Sequence, residues 1–133
     1  MTRILVVEDH AFFSQAIELL LGQRLSEGGD EPAEFHHAAT VAEGLRLVAQ
    51  AGPFALAVVD LMLPDGDGTD VVRAMKERWP ETPVAVLSSL WDLSEALAAG
   101  ADEAVGKVGD LQETVTTLAR LVTGGAGRRR RAL

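Results

Sequence analysis

Four aspartates stand close together in the stretch VVDLMLPDGDGTD, residues 58–70. They are Asp60, Asp65, Asp67 and Asp70. An aspartate carboxylate can act as a nucleophile, or it can hold a hard divalent cation through its oxygen atoms. Which of these chemistries applies depends on where each aspartate lies relative to the strands and helices around it.

The letters DGDGT, read from Asp65, resemble the start of a haloacid-dehalogenase-type phosphatase and also a fragment of a calcium loop. Asp65 follows Pro64 and lies five residues past the apolar run, whereas the phosphatase nucleophile ends a strand. A calcium loop needs a glutamate at its twelfth position, where Lys76 stands. We therefore expect Asp65, Asp67 and Asp70 to serve the turn and the first turn of the next helix, with Asp67 as its N-cap.

The composition predicts one globular domain of 133 residues, with 47% hydrophobic and 24% charged residues. The absence of cysteine suits a reducing compartment, and no apolar run reaches the length of a membrane span or a signal-peptide core. We expect a soluble cytoplasmic protein without a membrane partner. The net charge is −8, and without Arg128 to Arg131 it becomes −12, so the body is not expected to bind nucleic acid directly.

Apolar runs and helical periodicity alternate along the chain. Strands are predicted at 3–7, 33–39, 54–60, 83–89 and 103–106, and helices at 12–21, 41–48, 71–79, 92–99 and 111–122. Thr40 is the predicted N-cap of the second helix, with Glu43 as its capping-box partner. Five such alternations with long connections predict right-handed crossovers and a parallel sheet covered by helices on both faces.

In such a sheet, ligands bind beyond the carboxyl ends of the strands. The residues at those ends are Glu8 and Asp9, then Asp60, Ser88 and Lys107. Three carboxylates brought together repel each other, and a hard cation such as magnesium is the usual compensation. Carboxylate, metal, ammonium and hydroxyl together are typical of a phosphoryl-transfer site.

The motifs VVEDH, VVDLMLPDGDG, PVAVLSS and AAGAD and the isolated Lys107, in this order and spacing, resemble a receiver domain of two-component response regulators from about Arg3 to Val122. The resemblance implies a flavodoxin-like (βα)5 fold, a doubly wound parallel five-stranded sheet with strand order 2-1-3-4-5. Residues 1–123 would form the receiver domain, and residues 124–133 a flexible Gly/Arg-rich tail or the start of a linker.

The resemblance also implies a role for each site residue. Asp60 would be the phosphoacceptor, and Ser88 and Lys107 would bind phosphoryl oxygens. The implied Mg²⁺ ligands are Glu8, mainly through water, Asp9, Asp60 and the carbonyl of Met62. The three histidines are expected to be structural or solvent-facing.

The implied partners are a sensor histidine kinase and an unknown output protein or domain, with a second copy of the chain as a further candidate. The chain would be a switch whose only catalysis is its own phosphorylation and dephosphorylation. Ala104 stands where many receivers carry an aromatic residue, which leaves a degenerate, phosphorylation-independent binding module as an alternative. A small phosphatase using Asp65 is the second alternative.

Overall fold

A computed structural model describes residues 1–29, 31–88, 94–107 and 109–132, with side chains as far as residue 124 apart from that of Glu95. The elements in chain order are β1 (Thr2–Val7), α1 (Ala11–Glu27), β2 (Ala33–Ala38), α2 (Val41–Gln50), β3 (Leu56–Asp60), β4 (Met62–Leu63), β5 (Gly66–Asp67), α3 (Thr69–Arg78), β6 (Val84–Ser88), α4 (Ser94–Ala98), β7 (Glu103–Gly106) and α5 (Leu111–Ala132). The predicted alternation of strand and helix is confirmed.

The main sheet has five parallel strands in the order β2-β1-β3-β6-β7. Numbered within this sheet alone, that order is the predicted 2-1-3-4-5. The short strands β4 and β5 form a separate antiparallel pair in the loop after β3. The strand order reverses beside β1 and β3, and this is where a doubly wound sheet opens a crevice at its carboxyl edge.

The sheet is packed on both faces, which explains why its central strands are apolar throughout. One hydrophobic cluster packs β1, β3 and β6 against α2 and α3, and includes Val7, Val59, Val72 and Met75. The other packs the opposite face of these strands against α1 and α5, and includes Ile17, Leu21, Val58 and Leu118. Among the described residues, no helix is both long and apolar enough to cross a membrane.

The start of α2 is fixed by two side chains. Thr40 caps the helix as predicted, because its hydroxyl oxygen accepts a hydrogen bond from the Glu43 amide at 3.1 Å. The Asp65 carboxylate accepts two more, from the amides of Val41 at 2.8 Å and Ala42 at 3.1 Å. Asp65 therefore serves α2 and not the following helix, which corrects the sequence prediction. Sequence spacing could not reveal this contact, since it joins residues 24 positions apart.

The start of α3 also differs in detail from the prediction. Gly68 and not Asp67 occupies the N-cap position. The Asp67 carboxylate accepts a hydrogen bond from the amide of Thr69 at 2.9 Å, so it still supports the first turn. Asp70 lies in that first turn, as predicted.

Two differences concern the C-terminal half. The described part of the fourth helix is Ser94–Ala98, within the predicted 92–99, while residues 89–93 lie outside the described residues. Helix α5 extends to Ala132, so residues 124–132 are helical where a flexible tail is predicted. A helix that is already packed propagates at one hydrogen bond per residue, and arginine is a good helix former. The side chains of Arg128 to Arg131 lie outside the described part, and the boundary at residue 123 stays a prediction.

The loop after β3 folds back onto Asp60 at Gly68. The Gly68 amide donates to the carbonyl of Leu61 at 3.0 Å. A Cβ atom at Gly68 would collide with the carbonyl oxygen of Asp60, although the φ of −62° is open to any residue. The requirement for glycine is therefore steric.

Gly68→Ala is expected to lower the free energy of unfolding by about 2 kcal/mol, since the methyl group forces the loop away from β3. Gly124→Ala is the matched control, because an added Cβ has no neighbour within 4 Å there and the residue is helical. The control should raise stability by about 0.5 to 1 kcal/mol. Urea unfolding of the two variants measures both values, and equal stability of Gly68→Ala and the wild type would contradict the steric argument.

Candidate functional site

Two acidic side chains are buried at the carboxyl edge of the sheet. Glu8 directly follows β1 and is fully buried, and its amide donates to the carbonyl of Ala38 at 2.9 Å. Asp60 is the last residue of β3 and is 2% exposed. Because β1 and β3 are neighbours in register, the topology places both carboxylates in the crevice where the strand order reverses.

The ammonium group of Lys107 lies between these two carboxylates. Its Nζ atom is 2.9 Å from Asp60 Oδ2 and 3.1 and 3.0 Å from the two carboxylate oxygens of Glu8. Burial alone would lower the pKa of Lys107, but hydrogen bonds and attraction from Asp60 and Glu8 outweigh burial and raise the pKa above its usual value. The lysine is thus held in its charged form.

One ammonium does not balance all the negative charge at this edge. Asp9 lies beside the pair, and its Oδ1 atom is buried without a hydrogen-bond partner among the described residues. Glu8 Oε2 is near Lys107 Nζ but also lacks a well-directed hydrogen bond. Ligand atoms of Glu8, Asp9, His10 and Asp60 all lie within 4.8 Å of one another. Buried carboxylate oxygens around a net negative centre, with Asp9 Oδ1 lacking a donor among the described residues, fit a hard divalent cation.

Ser88 and Met62 flank this cluster. Ser88 ends β6 one register position beyond Leu87, which pairs with Asp60, and its carbonyl accepts from the Lys107 amide at 3.1 Å. Ser88 is 5% exposed. The Met62 amide donates to Asp60 Oδ1 at 3.0 Å, while the Met62 side chain is exposed. The structure therefore brings the strand-end residues to one edge, and the predicted ligand role of the Met62 carbonyl stays a prediction.

His10 belongs to the cluster, which the sequence did not indicate. Its side chain is 67% exposed, as expected for a solvent-facing residue, yet Nδ1 is 2.9 Å from Glu8 Oε1 and 3.0 Å from Lys107 Nζ. The one available signal was its position directly after Glu8 and Asp9, and a single histidine next to acidic residues is weak evidence by itself.

Asp65 lies outside this cluster of ligand atoms. The hydrogen bond from the Val41 amide, followed by that from the Ala42 amide, holds the pKa of the Asp65 carboxyl below its ordinary value. The phosphatase alternative needs Asp65 as a nucleophile, whereas the structure uses its carboxylate to cap α2.

Residues 4–119 match the response regulator receiver domain family. The chain belongs to this family. The predicted resemblance and the flavodoxin-like fold are both confirmed.

Relatives of this receiver domain include transcriptional regulators. It is 34% identical over 125 residues to response regulator protein PilR of Pseudomonas aeruginosa, covering 90% of this chain and 26% of that protein. It is 39% identical over 118 residues to the KDP operon transcriptional regulatory protein KdpE of Escherichia coli, covering 84% of this chain and 48% of that protein. The chain thus spans half or less of the length of these two regulators.

Solved structures show the same fold. A CheY-like receiver domain protein from Methanospirillum hungatei superimposes with a TM-score of 0.80 at 24% identity, covering 96% of this chain and 98% of that one. The receiver domain of DrrB, described as BeF3 activated, superimposes with a TM-score of 0.76 at 28% identity, covering 92% of this chain and 98% of that one.

Asp9→Asn is expected to stabilise the receiver domain in EDTA by about 1 kcal/mol, because it removes one of three like charges at the carboxyl edge of the sheet. Thermal unfolding of the metal-free protein measures the change. Asp70→Asn is the control: this aspartate is exposed on α3, and its loss should change stability by less than about 0.5 kcal/mol. A lower melting temperature for Asp9→Asn than for the wild type would show that repulsion does not dominate at this edge.

Proposed function

We propose that this receiver domain accepts a phosphoryl group on Asp60 in two-component signalling in the cytoplasm. The observation that carries the proposal is the contact of Lys107 Nζ with Asp60 Oδ2 at 2.9 Å, at the carboxyl end of a buried strand. The group would come from a phosphohistidine on a sensor histidine kinase. The absence of cysteine in the chain suits a reducing compartment.

In the proposed reaction, a carboxylate oxygen of Asp60 attacks phosphorus. A new O–P bond forms while the P–N bond of the phosphohistidine breaks, and the imidazole leaves with the electron pair. Lys107, already at hydrogen-bond distance from Asp60, would hold one phosphoryl oxygen, and the Ser88 hydroxyl would hold another. Their backbones are joined by the bond from the Lys107 amide to the Ser88 carbonyl, so the two groups are placed together.

The proposed cofactor is Mg²⁺, held by Asp9, Asp60 and the carbonyl of Met62, with Glu8 acting mainly through water. Support comes from the buried Asp9 Oδ1, which lacks a donor among the described residues, and from the closeness of these ligand atoms. The ion would neutralise the carboxylates and the incoming phosphoryl oxygens. A carboxylate set with few protein ligands is the kind of site that magnesium occupies together with water and phosphate oxygens.

The proposed output is a changed protein-binding face that controls transcription through an attached or partner output domain. The relatives support this, since KdpE is named as a transcriptional regulatory protein and is about twice the length of the matched region. A second copy of the chain is a further possible partner. Direct contact with nucleic acid is not assigned to the receiver body, whose surface charge is strongly negative.

Ala104 supports one competing proposal, a binding module that signals without phosphate. It lies on β7 opposite Val86, partly buried against the core, where many receivers carry an aromatic side chain. An alanine has no ring that could rotate between an inward and an outward position. Asp60 could therefore be phosphorylated even if Ala104 cannot relay the change to a binding face. The experiment below tests the phosphorylation step.

Incubation with MgCl₂ and acetyl phosphate, followed by intact mass measurement at neutral pH, tests phosphorylation. We expect one phosphoryl adduct on the wild type, which disappears in Asp60→Asn and on addition of EDTA. Asp65→Asn is the matched control and should keep the adduct, because Asp65 caps α2.

Two results would contradict the proposal. No adduct on a folded wild type would favour the phosphate-independent module. Continuous hydrolysis of acetyl phosphate that is lost in Asp65→Asn and kept in Asp60→Asn would favour the phosphatase.

A further inference from the structure

His10 is held rigidly at the edge of the acidic cluster by its backbone. Its amide donates to Glu8 Oε1 at 2.9 Å, and its carbonyl accepts from the Ser14 amide at 3.0 Å in the first turn of α1. These bonds tie the position of His10 both to the buried carboxylate and to the helix. The imidazole Nδ1 is consequently placed 2.9 Å from Glu8 Oε1 and 3.5 Å from Asp9 Oδ1.

His10 Nδ1 lies between an ammonium group and a carboxylate oxygen. Lys107 Nζ lies 3.0 Å from Nδ1, and an ammonium group can only donate hydrogen bonds. Glu8 Oε1 also accepts hydrogen bonds from the His10 amide at 2.9 Å and from Lys107 Nζ at 3.1 Å. In the neutral tautomer that carries its proton on Nε2, Nδ1 offers a lone pair to a cation that contacts these carboxylates.

The Lys107 ammonium lies against some of the same ligand atoms that could hold a metal ion. Lys107 Nζ lies within 3.1 Å of three atoms, which are Glu8 Oε1, His10 Nδ1 and Asp60 Oδ2. A positive group here therefore meets carboxylate oxygens and an imidazole nitrogen together. Oxygen ligands suit magnesium, whereas imidazole nitrogen suits first-row transition metals such as nickel and cobalt.

We propose that His10 is a nitrogen ligand in the cation site and gives this receiver a preference for a first-row transition-metal dication over Mg²⁺. The proposal rests on the cation site of the proposed function and adds a ligand to it. An imidazole ligand adds affinity for ions such as Ni²⁺ that bind nitrogen well, and adds little for Mg²⁺, which prefers oxygen ligands.

Calorimetric titration of the full chain at neutral pH, with Ni²⁺ and with Mg²⁺ as probes, tests the preference. His10→Phe should weaken Ni²⁺ binding by about 10- to 100-fold and change Mg²⁺ binding by less than about twofold. His36→Gln is the matched control and should leave both affinities unchanged, because His36 pairs with Glu34 at 2.7 Å and packs on Phe54 away from the cluster.

Pulsed electron paramagnetic resonance supplies a second readout that does not depend on affinity. With Mn²⁺ bound, the wild type should show modulation from a directly coordinated nitrogen, and His10→Phe should lack it. Equal Ni²⁺ binding by the wild type and His10→Phe, or the same nitrogen signal in both, would overturn the proposal.

These outcomes separate the ligand proposal from the proposed function. If Mg²⁺ binds the wild type and is lost in Asp9→Asn while His10→Phe leaves Ni²⁺ binding intact, the role of His10 is refuted and the cation site stands. If a folded wild type binds neither metal, both proposals fail.

Discussion

The ion pairs of Lys107 with the buried carboxylates of Asp60 and Glu8 are the interaction on which this site depends. Removing two carboxylates from water is costly, and one ammonium at about 3 Å from both offsets only part of that cost. Asp9 adds a third negative charge, and its buried Oδ1 atom has no hydrogen-bond partner in the described part of the chain. The carboxyl edge of the sheet therefore carries unbalanced negative charge, which a divalent cation would neutralise.

The topology of the sheet creates this concentration of charge. Strands β1 and β3 are neighbours although they are far apart in sequence, so Glu8 and Asp60 meet at the carboxyl edge. Lys107 directly follows the last strand, β7, and its amide donates a hydrogen bond to the carbonyl of Ser88. Gly68 folds the intervening loop onto Asp60, where a larger residue would collide. Each element thus contributes one group at a position set by backbone hydrogen bonding.

Much of this arrangement could be predicted because it follows from strand ends. Buried strands are continuous apolar runs, and the residue that ends such a run lies at the edge, which predicts the position of Asp60. The position of Lys107 is predicted by its place directly after the last short strand. Contacts between separate elements could not be predicted in this way. Asp65 bonds a helix 24 residues earlier in the chain, and His10 enters the cluster through the direction of its ring. The helical residues 124–132 escaped prediction because the glycines there oppose helix formation locally.

We propose that the unbalanced negative charge at this edge makes Asp60 the phosphoacceptor. A crystal structure of the protein grown with Mg²⁺ and beryllofluoride, a mimic of the phosphoryl group, tests it most directly. We expect beryllofluoride bonded to the Asp60 carboxylate, with Lys107 and Ser88 on its fluorine atoms and the cation on Asp9 and Asp60. Beryllofluoride on Asp65, or an Asp60 carboxylate that stays unmodified with Lys107 still bridging it to Glu8, would show that Asp60 is not the phosphoacceptor.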